Sequence, residues 1–446
     1  MRNEKLTVNP AEKRGKIRPM NGVGGGPVTA NMAYDASEWF REAKIPFCRT
    51  HDIEYPYGSG EYVDIHNLFP DFEKDENDPA NYNFILTDAY MKNIDAVGAK
   101  PLYRLGTTIE HAPIKRYIHP PKDFEKWGRI CSRIIAHYNE GWGDGFRLGI
   151  EYWEIWNEPD ISPCWTGTHE QIVDLYEAAS KIIKREHPDV KIGGLAFANA
   201  KTPLIDLFLT RVVEKKLPLD FLSWHGYVHL PSQTSECAGI IRDKLKQYGL
   251  EGVESVYDEW NYVMGWGSQI EKSIEFHYTP GEAAFMGAMT TSHDEGIDVS
   301  CYYDVQMLME RVWNGVFGVG PRSGHGTEGQ TVKPLPGYYA LKYWGELSGM
   351  TEIAKACTSD DVYATAAISD DGKTVKVLIS HFADKAGFGN VPPEKKTLTF
   401  DIDGKYKMKS AVITDRFAEN YTAKWQDGDL LLNGYAIALV TFEKSE

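Results

Sequence analysis

The sequence has few cysteines and no closely spaced set of metal ligands. Its six cysteines are scattered over 446 residues, without a Cys-x-x-Cys pair or a short Cys/His spacing. Zinc sites and disulfide frameworks depend on such spacings. We therefore expect free, buried thiols, and we expect neither a metal nor any other cofactor.

Positive charge is also scarce, and long apolar runs are missing. The 48 lysines and arginines are outnumbered by 64 aspartates and glutamates, which gives a formal net charge of −16. Nucleic acids and anionic membrane surfaces attract basic proteins, and a membrane-spanning helix needs about 20 consecutive apolar residues. We therefore expect neither a nucleic acid nor a membrane as partner. A neutral or weakly charged substrate fits this composition better.

The first ten residues contain no apolar segment of the length found in secretion signals. As it stands, the sequence predicts a cytoplasmic protein. A secreted or periplasmic location follows instead if a signal peptide has been removed ahead of Met1. The oligomeric state stays open, with a homo-oligomer among the options.

Strand and helix patterns alternate along the first three quarters of the chain. Eight β-type segments alternate with helical ones over residues 17–349, the number and length typical of a (β/α)8 or TIM barrel. A dinucleotide-binding fold is disfavoured, because Pro27 stands where its glycine fingerprint needs glycine. After Gly349, short alternating strands predict an antiparallel β-sandwich. We therefore divide the chain into a segment 1–16 that joins the sandwich, a barrel over 17–349 and an accessory β-sandwich over 350–446.

Two strands of the predicted barrel lead into carboxylates. The segment 152–156 is aromatic or β-branched at every position except 154 and runs into Glu158. Pro159 then ends the strand because it lacks an N–H. Residues 255–257 lead in the same way to Glu259. The carboxyl ends of barrel strands share the face on which active sites form. Two facing carboxylates suffice to cleave a glycosidic bond, although either glutamate alone is more often structural.

These elements resemble the catalytic signatures of retaining (β/α)8 glycoside hydrolases, and most closely those of glycoside hydrolase family 39, which contains β-xylosidases and α-L-iduronidases. The resemblance covers nearly the whole chain and rests on Trp156-Asn157-Glu158-Pro159, Glu259-Trp260-Asn261, Arg49-Thr50-His51-Asp52 and His225-Gly226-Tyr227. It implies a cofactor-free retaining exo-glycosidase, with Glu158 as acid/base and Glu259 as nucleophile. The two carboxyl groups are then expected about 5–5.5 Å apart.

The resemblance also implies which residues surround the sugar. Asn157 is expected to bond the 2-hydroxyl, and the other residues implied to line the site are Arg49, His51, His225 and Tyr227. Glu158 must begin protonated, which requires a raised pKa, whereas Glu259 must stay ionised, which a nearby Arg49 would favour.

Two further residues follow strand ends, and we include both among the substrate-binding candidates. Trp260 follows Glu259 and is suited to stacking on a sugar, with core packing as the alternative. Asp304 ends the eighth strand, with a capping or loop role as its alternative. Glycine-rich loops over 265–271 and 315–330 follow the last two strands and favour a closed pocket.

The eighth strand departs from the family pattern, since it contains Cys301-Tyr302-Tyr303-Asp304 where a tryptophan is usual. A galactoside, arabinoside or uronide therefore remains an alternative to a xyloside. Two other activities stay open, an endo-glycanase of the same clan and a carbohydrate-binding barrel without catalysis. A lyase or aldolase would need a lysine or metal ligands at the strand ends, and the predicted strand ends offer no such lysine.

Overall fold

The computed structural model describes residues 2–28, 34–53, 61–291, 296–307, 313–319, 332–383 and 392–445. Within these ranges, eight parallel strands close into a barrel. Strand β1 (Arg2–Lys16) lies outside it. The barrel strands are β2 (Gly22–Gly24), β3 (Phe47–Arg49), β4 (Lys100–Leu105), β5 (Tyr152–Ile155), β6 (Lys191–Phe197), β7 (Phe221–Val228), β8 (Glu254–Tyr262) and β9 (Val299–Tyr302). Pairing of β2 with β9 closes the barrel.

Helices surround the barrel. Those in the described ranges are α1 (Ser37–Glu42), α2 (Ile65–Leu68), α3 (Ile85–Ala96), α4 (Phe124–Asn139), α5 (His169–Glu186), α6 (Leu204–Lys215), α7 (Pro231–Gln247), α8 (Ile270–His277), α9 (Pro280–Thr291) and α10 (Pro336–Gly345). Helix α5 shows how the sequence forms these helices. Thr168 and Gln171 form a capping box at its start, and one apolar face is buried. None of the described helices has the length and apolar character to span a membrane.

The interior of the barrel changes character along its axis. An apolar cluster fills one end: Leu102, Tyr152, Phe221, Val256 and Val299. Residues two apart on a strand point to the same face, and the next inward positions on three of these strands carry Arg104, Glu154 and Asp258, all fully buried. The barrel therefore directs charged groups toward the carboxyl ends of its strands.

The last part of the chain forms a second β-structure. After the hairpin of β10 (Phe317–Val319) and β11 (Val332–Pro334), its strands are β12 (Thr351–Cys357), β13 (Val362–Ile368), β14 (Thr374–His381), β15 (Lys396–Ile402), β16 (Tyr406–Thr414), β17 (Tyr421–Thr422), β18 (Trp425–Gln426), β19 (Asp429–Leu432) and β20 (Ala436–Lys444). In the described part of the chain, ten strands share one sheet in the order β17-β16-β20-β14-β13-β12-β1-β15-β19-β18. The pairs are antiparallel except for β1 with β15.

The barrel and this antiparallel β-structure confirm the predicted fold class, a (β/α)8 barrel with a C-terminal β-sandwich. Residues 430–443 do not form one continuous strand but belong to the two strands β19 and β20. The chain turns between them, where Tyr435 has a positive φ of 53°. Of the predicted loop 315–330, residues 320–330 lie outside the described ranges.

Helix α9 joins the two parts of the molecule. Its residues 281–291 are buried and mostly small. The Ser380 hydroxyl of β14 donates a hydrogen bond to the Ala284 carbonyl. A Cβ on Gly287 would lie 2.6 Å from Cδ1 of Ile437 on β20. Small side chains therefore allow the helix to approach the sheet closely.

Candidate active site

Glu158 and Glu259 lie together at the carboxyl end of the barrel. Glu259 belongs to β8, and Glu158 follows β5 after a turn in which Trp156 and Glu158 have positive φ angles of 69° and 47°. Non-glycine residues rarely adopt such angles, and they cluster at functional sites. One oxygen of each glutamate and one ring nitrogen of His225 lie within 4.8 Å of one another. The structure therefore brings the two predicted carboxylates together.

Hydrogen bonds hold both carboxylate oxygens of Glu259. Arg49 Nη1 donates to Oε1 at 2.8 Å, and the Tyr227 hydroxyl donates to Oε2 at 2.7 Å. Burial raises the pKa of Glu259, while His225 and Arg49 oppose that shift. Arg49 thus favours the ionised form, as expected, but the net shift of the pKa is upward because desolvation is the larger effect.

Arg49 is buried beneath Glu259 and surrounded by acidic side chains. Its guanidinium lies 2.7 Å from Glu154, 2.8 Å from Asp258 and 2.8 Å from Glu259. Its Nη2 also donates to Asn157 Oδ1 at 2.7 Å. This hydrogen bond fixes the side-chain amide of Asn157 beside the two glutamates.

Three carboxyl groups around one cation would leave excess negative charge inside the barrel. Burial raises the pKa of Asp258 well above its ordinary value. Burial alone would also raise the pKa of Glu154, but contact with Arg49 lowers it overall. The proton of this pair therefore belongs to Asp258, which leaves Glu154 and Glu259 as the anions that face Arg49.

Glu158 has a less polar environment than Glu259. Burial raises its pKa to about 7, although Arg49 acts in the opposite direction. His225 Nδ1 lies 2.8 Å from its Oε1, and the Cys164 thiol donates to its Oε2 at 3.7 Å. A carboxyl group with this pKa is largely protonated below neutral pH, so Glu158 is able to donate a proton.

His225 lies between the two glutamates as a neutral ring. Its Nδ1 is 2.8 Å from Glu158 and 3.3 Å from Glu259. Burial lowers its pKa to about 4. Because the ring is uncharged near neutral pH, it links the two carboxyl groups without adding a second cation beside Arg49.

His51 approaches Glu259 from the end of β3. Its Nε2 lies 3.7 Å from Glu259 Oε1 and 3.1 Å from Asp52 Oδ1. Burial lowers the pKa of His51 well below its ordinary value, so the ring is neutral. The structure therefore brings six of the predicted residues around Glu259: Glu158, Asn157, Arg49, His51, His225 and Tyr227.

The other two predicted substrate-binding residues differ in their positions. Asp304 is fully buried, and Gln306 Nε2 donates to its Oδ2 at 3.4 Å. Trp260 is also fully buried, but its Nε1 donates to Ser300 Oγ at 2.7 Å and its ring packs against Phe285 of α9. This corrects the prediction that Trp260 binds substrate, because its side chain points outward from the barrel and serves packing.

An aromatic group stands beside Tyr227. The ring centroids of Trp266, Trp313 and Tyr303 lie 5.5, 6.1 and 6.3 Å from that of Tyr227. Trp266 is 63% exposed, so one of its faces is open to a ligand. An exposed indole beside a polar cluster suits a ring that is apolar on one side and hydroxylated at its edge.

Glu158, His225 and Glu259 also have the donor types of a metal site. Arg49, however, already contacts Glu259 at 2.8 Å, and a fixed guanidinium opposes a second cation at the same carboxylate. The arrangement suits proton transfer by Glu158 and nucleophilic attack by Glu259. The sequence prediction missed Glu154 and Asp258, whose only signal is an acidic residue inside a buried strand.

A comparison with protein families gives one match: the model for glycosyl hydrolases family 39 matches residues 4–305. A β-xylosidase from Caldicellulosiruptor saccharolyticus is 27% identical over 305 residues, which cover 63% of this chain and 59% of the relative. A β-xylosidase from Geobacillus stearothermophilus is 27% identical over 189 residues, or 39% of this chain and 36% of the relative. The chain therefore spans less than two thirds of either relative.

Solved structures share the fold over the whole chain. A glucosidase from Croceicoccus marinus has a TM-score of 0.77 at 22% identity and covers 100% of both chains. A monomeric β-xylosidase from Caulobacter crescentus has a TM-score of 0.69 at 15% identity, also with 100% of both chains covered. At these identities the likeness concerns the fold alone.

Proposed function

Because the chain belongs to glycosyl hydrolase family 39, we propose that it is a glycosidase and cleaves glycosidic bonds with retention of configuration, through a covalent glycosyl-enzyme intermediate. The observation that carries this proposal is the separation of at most 4.8 Å between one oxygen of Glu158 and one of Glu259. Retaining enzymes hold their carboxyl groups about 5–5.5 Å apart, whereas inverting ones need about 6.5–9.5 Å to admit water.

In the first step, Glu259 Oε attacks the anomeric carbon while protonated Glu158 gives its proton to the departing glycosidic oxygen. The bond from carbon to the leaving group breaks, and an ester to Glu259 forms. In the second step, ionised Glu158 takes a proton from water, whose oxygen attacks the same carbon. The ester bond breaks, Glu259 is released as a carboxylate, and Glu158 is protonated again.

The surroundings of each glutamate support these roles. Arg49 and Tyr227 hold the two oxygens of Glu259, which fixes the attacking carboxylate and stabilises its charge. Glu158, with a pKa of about 7, is able to act as acid in one step and as base in the next. Asn157, oriented by Arg49, is the residue we assign to the sugar 2-hydroxyl.

We assign the substrate class as β-xylosides, cleaved one terminal residue at a time. Support comes from the two β-xylosidases that are 27% identical to this chain. A panel of nitrophenyl glycosides tests which sugar the enzyme accepts. Xylo-oligosaccharides test whether it cleaves at the chain end or at internal bonds. We expect turnover of the β-xyloside and release of xylose from the first minutes. Preferred hydrolysis of another glycoside, or early release of internal fragments, would refute this assignment.

Proton NMR of the first product tests the two-step mechanism. We expect the β-anomer to appear first and to mutarotate later. A 2-deoxy-2-fluoro xyloside with a good leaving group should label a peptide that contains Glu259, as detected by mass spectrometry. The variant Glu254→Gln, at the opposite end of the same strand, is the matched control and should label normally. Initial release of the α-anomer, or labelling of another residue, would exclude the mechanism.

A further inference from the structure

A cavity opens beside the barrel, and neither Glu158 nor Glu259 lines it. Its volume is about 380 Å³, and it lies between residues 65–72 and 116–122. Gly106 and Trp156, at the carboxyl ends of β4 and β5, line its inner side. The cavity therefore opens at the same end of the barrel as Glu158, and its size falls in the range of about 300–1,000 Å³ found for small-molecule sites.

The walls of this cavity are flat and apolar. Five aromatic side chains contribute to them: Phe69, Phe72, Tyr117, Trp127 and Trp156. Pro70, Pro120 and Pro121 supply further rigid apolar surface. Of these five aromatic residues, three are buried, Phe72 is half-buried and Tyr117 is exposed. Rigid aromatic walls favour a planar ring, which gains contact area without loss of side-chain freedom.

The charged groups of the cavity are all of one sign. Among the described residues that line it, the ionisable side chains other than tyrosine are His66, Arg116, His119 and Lys122, and none is acidic. This is unusual in a chain with a net charge of −16. Lys122 already pairs with Glu73 at 2.7 Å. The backbone N–H of Arg116 donates to the Glu110 carboxylate at 2.9 Å. Its guanidinium, by contrast, makes no ion pair with the acidic side chains that the structure describes, although Arg116 lies at the cavity wall.

We propose that this cavity binds a planar aromatic ring that carries one carboxylate, with the ring between the aromatic walls and the carboxylate on Arg116. A neutral aromatic ring would fit the walls but would gain nothing from the guanidinium. A small inorganic anion would leave the aromatic surface unfilled. Binding of the aromatic acid requires neither Glu158 nor Glu259.

Isothermal titration of the full chain with 2-naphthoate tests the site, with 2-naphthol as the uncharged probe. We expect 2-naphthoate to bind more tightly, and Arg116→Gln to weaken its binding about five- to tenfold while leaving 2-naphthol unaffected. Arg116 is exposed, so the substitution should not disturb folding. Arg416→Gln, an exposed arginine that also lies beside an aromatic ring, is the matched control and should bind 2-naphthoate as the unmodified chain does.

A second variant distinguishes this cavity from the carboxylate pair. An anion bound beside Glu259 would gain affinity in Glu259→Gln, because a repelling charge is removed. In the proposed site the affinity for 2-naphthoate should not change. Equal binding of the two probes, unchanged affinity in Arg116→Gln, or tighter binding in Glu259→Gln would each overturn the proposal. None of these measurements uses hydrolysis, so their outcome is independent of the proposed reaction.

Discussion

Arg104 donates its Nε–H to Nδ1 of His51 at 3.1 Å. Since that nitrogen accepts, the proton of the neutral ring lies on Nε2, which faces Glu259 at 3.7 Å. Arg104 in turn pairs with Asp64 at 2.5 Å, and both side chains are fully buried. The orientation of His51 toward Glu259 therefore depends on an ion pair that contacts neither Glu158 nor Glu259.

Removal of Arg104 should destabilise the protein strongly. Arg104→Met leaves Asp64 as a buried charge without its cation, which typically costs about 3–5 kcal/mol. Urea unfolding followed by tryptophan fluorescence measures this loss. Lys122→Met, which removes an exposed lysine paired with Glu73, should leave the unfolding free energy unchanged. Equal unfolding free energies of the two variants would show that the buried pair of Arg104 and Asp64 does not contribute to stability.

The dependence of activity on pH should be bell-shaped. Glu158 must be protonated in the free enzyme, so kcat/KM should fall as the pH rises through its pKa of about 7. Glu259 must be ionised, so activity should also fall at low pH. Because burial raises the pKa of Glu259, this acidic limb should lie at a higher pH than the ordinary pKa of a glutamate would give. With an activated aryl glycoside, Glu158→Gln should lose the alkaline limb. An alkaline limb that survives in this variant would assign it to another group.

The effect of removing Glu158 on activity should depend on the leaving group of the substrate. Glu158→Ala should lower kcat/KM about 10²–10⁴-fold for an alkyl glycoside, which needs protonation. The loss should be much smaller for a dinitrophenyl glycoside, whose leaving group departs as an anion. Added azide should restore turnover with this substrate and yield a glycosyl azide. Equal losses for both leaving groups would contradict the role of Glu158.

Replacing the carboxyl group by an amide should lower kcat to different extents at Asp258 and at Glu154. Asp258→Asn replaces a protonated carboxyl by a neutral amide, so the charge around Arg49 is preserved. Glu154→Gln removes an anion that contacts Arg49 at 2.7 Å. We expect kcat to fall further in Glu154→Gln, with the melting temperature of each variant as the control for folding. A larger loss of kcat in Asp258→Asn would place the proton on Glu154 instead.

Trp266 should contribute to substrate affinity. Stacking on an aromatic ring is worth about 0.5–1.5 kcal/mol, so Trp266→Ala should raise KM about 2- to 13-fold. The side chain is 63% exposed, and the melting temperature should not change. Phe417→Ala, which removes another exposed aromatic residue, is the matched control and should leave KM unaltered. An unchanged KM in Trp266→Ala would exclude contact with substrate.

The sequence predicted the barrel because its strands are short, buried and separated by helices of regular apolar spacing. It also predicted where Glu158 follows β5, since Pro159 limits the strand. The inward or outward direction of each side chain was harder to predict. Parallel strands covered on both faces are apolar throughout, so their composition does not distinguish the two faces.

Strand β8 shows why the direction of side chains was missed. Adjacent strand residues normally point to opposite faces, yet Asp258 and Glu259 both contact Arg49. The pairing of β8 with β7 shifts between Tyr257 and Glu259, and its pairing with β9 shifts before Trp260. This irregularity turns both acidic residues inward and Trp260 outward. Local sequence gives no sign of such a shift in register.

Strand β1 imposes an order on the folding of this chain. Its partners are β12, which begins at Thr351, and β15, which begins at Lys396. During synthesis, β1 leaves the ribosome before either partner, so it must remain without these neighbours until the segments that begin at Thr351 and Lys396 have emerged. The barrel is free to assemble meanwhile, whereas this sheet is completed only when β12 and β15 reach β1.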